Sequence, residues 1–87
     1  MLFQKLKQFS VNLKVNGLIR EFNFLKRRSA AVPTYHIDFS DERGTRHYFS
    51  LVQDGGHWSI AGSAAPDWIR GAEKILENTV QEQELVA

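Results

Sequence analysis

Eighty-seven residues, 43% of them hydrophobic and 24% charged, suffice for one packed domain and are too few for two. The absence of cysteine excludes disulfides and thiolate metal sites, and a net charge of +1 is far from the basic balance of a dedicated nucleic-acid binder. No stretch reaches the ~20 apolar residues of a membrane span, and the opening MLFQKLKQF never builds the apolar run of a secretory signal. The expectation is a single domain over 1–87, cytoplasmic and without a membrane partner.

The opening segment is ambiguous. Leu2, Leu6 and Phe9 would share one face of a short helix, whereas a strand beginning near Phe3 fits the alternation that follows. Val11, Leu13 and Val15 then alternate with Asn12, Lys14 and Asn16, the period of a half-buried strand. Asn16-Gly17 is the pair a two-residue type I′ hairpin favours, because both positions take positive φ. Leu18, Phe22 and Phe24 share one face of the next run, with Arg20 among them, before the basic stretch from Lys26 and Pro33 break the pattern.

Tyr35, Ile37 and Phe39 alternate with His36, Asp38 and Ser40, and Asp41 to Gly44 reads as a tight turn. From Thr45 to Val52 both parities are partly apolar, so that strand is central or its outer side meets something. Gln53 to Gly56 turns the chain into a short last strand holding Trp58 and Ile60. Pro66 suits a first helical position, Asp67 the first turn, and Ile69, Ala72, Leu76 and Val80 recur at helical spacing, with Trp68 and Ile75 widening the stripe. Arg70, Lys74, Glu77 and Gln81 fall opposite, Gly71 weakens the helix, and fraying is expected from about Glu82.

These patterns predict an α+β fold: an antiparallel four- to five-stranded meander packed on one C-terminal α-helix, with a short N-terminal helix as an added option. One helix rarely covers five strands, so the second sheet face is expected to be bare or covered by another copy.

No motif carries a catalytic signature. His36 and Asp38 point the same way on one strand and His57 lies on the last, but a zinc site needs three or four convergent ligands, and nothing in their spacing supplies convergence. The serines sit in no G-x-S-x-G elbow, and Gly55-Gly56 precedes a strand rather than a helix. The expectation is no enzyme, no metal and no cofactor.

Two surfaces remain. An outer sheet face carrying Ile19, Leu25, Tyr48 and Val52 would be an apolar patch that soluble monomers tend to avoid, which points to a non-enzymatic binding or self-association module, a homodimer. The alternative is single-stranded nucleic-acid binding through Lys14, Arg20, Lys26, Arg27, Arg28, Arg46 and Tyr48, where cations track phosphates and a ring stacks bases. Charge is unevenly distributed along the chain: nine Lys or Arg against four acids through His47, then two against six. A basic first half and an acidic helix would steer copies together.

Overall fold

The computed structural model describes residues 8–27, 32–62 and 65–85. Five strands, β1 (Gln8–Val15), β2 (Leu18–Arg27), β3 (Thr34–Ser40), β4 (Arg46–Asp54) and β5 (His57–Ala61), pair antiparallel in chain order to form one open meander. Two helices follow, α1 (Asp67–Arg70) and α2 (Glu73–Leu85). The fold is α+β, a five-stranded antiparallel sheet with a C-terminal helix on one side.

Local chemistry sets the register. Asn16 and Gly17 have φ of 55° and 81°, the type I′ geometry that lets Val15 pair directly with Leu18. From that pair, Phe22 meets Phe39 and Phe24 meets Ile37 across β2 and β3. Every odd position of β3 and every even position of β2 from Phe22 to Lys26 therefore faces the helix layer. Phe22, Phe24, Tyr35, Ile37, Phe39, Phe49, Leu51, Trp58 and Ile60 form the sheet side of the core, and Ile69, Ala72, Leu76 and Val80 form its helix side. Trp68 is half-buried and lies edge-on to Phe39 at 5.3 Å.

The helical segment departs from the single helix expected from its periodicity. Pro66 flanks α1 in an extended conformation (φ −58°, ψ 152°) rather than occupying its first turn, and the chain tightens at Gly71-Ala72 before α2 begins. Ala72 N–H bonds back three residues to Ile69 at 2.9 Å, and this tighter step keeps Ile69, Ala72, Leu76 and Val80 on one side. α2 remains helical to Leu85, and Ile75 is exposed rather than part of the buried stripe. Glu77, placed on the solvent side by the pattern, is buried.

Gly71 has φ −68°, and a Cβ there would lie 3.6 Å from Trp68 O, an ordinary contact. Gly71→Ala is therefore expected to stabilise the protein by about 0.4–1 kcal/mol by restricting the unfolded chain. A thermal melt showing a lower midpoint would mean the tight turn itself needs glycine.

Residues 1–7, on which the choice between an N-terminal helix and a strand chiefly falls, lie outside the described residues; Gln8 and Phe9 are strand.

Candidate functional site: the bare face of the sheet

Strand parity decides which side chains reach the uncovered face. The pairing register puts Lys14, Ile19, Glu21, Asn23, Leu25, Arg27, His36, Asp38, Arg46, Tyr48, Ser50 and Val52 on it, back to back with the core row. Ile19 is 70% exposed and Tyr48 66%, while Leu25 and Val52 are half-buried. All four candidate interface residues therefore share one face. They do not make one continuous patch: Ile19 pairs with Lys14, Leu25 with His36, Tyr48 with Asp38, and Val52 with Thr34 and Ser59.

Between the apolar groups runs a polar ladder. Ser10 Oγ donates to Asn23 Oδ1 (2.6 Å), and Asn23 Nδ2 donates to Asp38 Oδ1 (2.8 Å). Arg46 Nη1 donates to the same Asp38 oxygen (2.5 Å). One row over, Ser50 Oγ lies 3.0 Å from His36 Nδ1. These bonds join consecutive strands, so the bare face is rigid as well as wet. A shallow hollow of about 620 Å³ opens among Leu25, Arg27, His36, Tyr48, Ser50 and Ala61. Its sides are therefore an aromatic ring, a guanidinium and an aliphatic chain over a floor of sheet.

The structure divides the cations that charge pattern alone would group together. Lys14, Arg27, Arg46 and Tyr48 lie on the bare face. Arg20 and Lys26 do not: β2 parity turns both toward the helix layer. Arg20 pairs with Glu42 and stands 4.8 Å over the Trp68 ring, with only 10% of its side chain exposed. Lys26 Nζ donates to both Glu84 oxygens, at 3.0 and 2.9 Å, and Tyr35 Oη donates to Glu84 at 2.6 Å. That clamp fastens the end of α2 to β2 and β3, and burial followed by the Glu84 bond raises the Tyr35 pKa. Both cations are fold elements, unsuited to tracking phosphates. Arg28 lies outside the described residues.

The three residues considered for metal or acid–base chemistry also separate. His36 joins Ser50, Asp38 joins Arg46 and Asn23, and His57 Nδ1 lies 3.2 Å from Glu77 Oε2 at the far edge. Among the described residues, no three His, Asp or Glu side chains converge. The His47–Asp41 pair, 2.9 Å apart, serves the β3–β4 turn. His47 first, then the Thr45 and Arg43 N–H groups, hold the Asp41 carboxyl below its usual pKa against the opposing effect of burial. No protein-family model, curated protein or solved structure matches the chain.

Among the described residues, charge on the bare face balances: Lys14, Arg27 and Arg46 stand against Glu21, Asp38 and Asp54. The surface is thus mixed: an exposed ring, scattered aliphatics and charges of both signs, of which Arg46 and Asp38 form an ion pair.

Proposed function

We propose that this protein is a non-enzymatic binding and self-association module, and that the bare sheet face takes a protein partner. The observation carrying this reading is Tyr48, two-thirds exposed at the side of a hollow whose opposite side is Leu25. A tyrosine on a rigid strand offers a large ring and a polar tip at little entropic cost, the property that enriches tyrosine in protein interfaces. Apolar groups separated by satisfied polar ones match the composition of non-obligate interfaces. Balanced charge favours a polypeptide over a polyanion.

The test places p-benzoylphenylalanine at position 48 of the full chain in cells and, as a control, at the exposed helix position Lys74. A polypeptide crosslinked from position 48, absent from position 74 and lost when Leu25→Lys is added, is the expected result. No crosslink, or one indifferent to Leu25→Lys, would refute the face as a binding surface.

A second reading, single-stranded nucleic acid, is favoured by one observation: Arg27 and Tyr48 line the same hollow, a cation for phosphate beside a ring for stacking. The expected anisotropy titration with a labelled 12-nucleotide strand is flat at about 0.15 M salt. Micromolar binding that falls steeply with salt and disappears in Arg27→Ala with Arg46→Ala would put the second reading in place of the first.

A further inference from the structure

The two edges of the sheet are unlike. β5 is five residues long, and its outward N–H groups are taken: Trp58 N–H donates to Glu77 Oε2 at 3.0 Å and Ile60 N–H to Glu73 Oε2 at 2.8 Å. A helix carrying two carboxylates thus seals that edge. β1 has the opposite character. It runs eight residues in unbroken register with β2, without proline or bulge, and Lys14 is its one charge. Edge strands in monomers usually carry one of the missing protections.

The hairpin determines which backbone groups β1 leaves free. In a two-residue hairpin the flanking pair, here Val15 and Leu18, is hydrogen-bonded, so odd-numbered β1 residues bond toward β2. Gln8, Ser10, Asn12 and Lys14 therefore direct their N–H and C=O outward. Among the described residues, nothing outside β2 bonds to that backbone row. The odd side chains Phe9, Val11 and Leu13 lie half-buried on the helix side, where Phe9 stacks on Phe24 at 4.7 Å.

We infer that the outer edge of β1 pairs antiparallel with β1 of a second copy, joining two five-stranded sheets into one with the two-fold axis at Val11. The strand is complementary to itself in that register. Val11 meets Val11 of the partner subunit, Phe9 meets Leu13 of the partner subunit, and the half-buried row continues across the axis. On the other side Ser10 opposes Asn12 of the partner subunit and Gln8 opposes Lys14 of the partner subunit, so no like charges face each other. The even residues exchange both backbone bonds at each of their pairs, as antiparallel pairing requires. α2 bonds to β5 through Glu73 and Glu77 and is fastened at its end to β2 and β3 through Glu84, so among the described residues no helix hydrogen bond reaches β1. The dimer carries its two bare faces side by side on one continuous surface. It rests on the self-association reading for its partner only, and does not use the bare face.

Because the chain has no cysteine, single thiols report the register. Opposed residues of a non-hydrogen-bonded pair approach to about 4.5 Å between Cα atoms, within disulfide reach. Full-length Val11→Cys under oxidised glutathione is expected to give a covalent dimer, while Leu13→Cys and Tyr48→Cys stay monomeric on the same gel. Light scattering of the wild type should give twice 10.0 kDa. Asn12→Pro should return it to 10.0 kDa with unchanged circular dichroism, since proline there removes a donor that β2 does not use. Leu25→Lys should abolish the position-48 crosslink and leave the dimer intact, which separates failure of the face from failure of the edge. A wild type of 10.0 kDa at millimolar concentration overturns the inference. So does a dimer that Val11→Cys fails to trap, or one that Tyr48→Cys traps instead.

Discussion

Phe39→Ala is expected to lower the unfolding free energy by about 3–5 kcal/mol. Phe39 has no exposed surface, and its ring sits 5.0 Å from Phe22, 5.3 Å from Trp68, 6.3 Å from Phe49 and 4.9 Å from His47. Four rings on three elements lose a neighbour at once, and β-sheet backbone on one side keeps them from closing the gap. Against a total of about 5–15 kcal/mol for a domain of this kind, the variant would sit near its unfolding threshold at 37 °C. Urea unfolding followed by circular dichroism should show a lower midpoint with an unchanged slope. A loss under ~1 kcal/mol would mean that Trp68 and Phe22 collapse into the space. The consequence reaches the bare face, because Asp38 and Ser40 flank Phe39 in β3 and their outward direction depends on its inward one. The half-exposed Phe9 should cost less when truncated, which makes the pair an internal comparison.

The fold was legible because its signals are local. Asn16-Gly17 announces a hairpin, and Tyr35-Ile37-Phe39 announces a strand and the face it buries. Once those turns are fixed, a meander needs no long-range information, and the bare face with Ile19, Leu25, Tyr48 and Val52 follows from parity. The functions of Arg20 and Lys26 do not follow. Parity already placed Arg20 beside Phe22, but its ring partner Trp68 and its ion partner Glu42 come from distant parts of the chain. Lys26 and Glu84 are 58 positions apart. A long aliphatic stem lets such cations lie on an apolar layer and still reach a carboxylate at its rim. Charge counting along the sequence cannot distinguish that from a solvated loop. The polar ladder was hidden for a related reason: Ser10, Asn23, Asp38 and Arg46 are ordinary strand residues until the registers of four strands bring them into line.

Glu77 is the other residue misplaced by a local rule, and its substitution carries the second large effect. Two strand residues span about 6.6 Å and four helical residues about 6.0 Å, so carboxylates at i and i+4 match alternate N–H groups of an antiparallel edge strand. Glu73 on Ile60 and Glu77 on Trp58 use that match. The sequence signal is a Glu-x-x-x-Glu helix following a short last strand, which helical periodicity alone reads as solvent-facing. Glu77→Leu leaves the buried Trp58 N–H without its acceptor, a loss of about 1–3 kcal/mol, and reopens the β5 edge. Its thermal midpoint should fall and its tendency to associate should rise, while Glu77→Gln, which retains a carbonyl acceptor, should do less of both.

Acid separates the two variants further. The Trp58 N–H first, then His57 and Lys74, hold the Glu77 carboxyl below its usual 4.5 despite burial. Its contribution is complete above that unfolded value and is lost as pH falls through the lower folded one. Asp41, depressed from 3.8, acts in the same direction. The wild-type urea midpoint should therefore hold steady down to about pH 5 and drop below it. Glu77→Gln should drop less, the remaining slope belonging in part to Asp41. Equal slopes in the two proteins would mean that the β5 N–H groups are held as well by a protonated carboxyl as by a carboxylate. The helix would then seal the edge by shape and hydrogen bonding alone, without its charge.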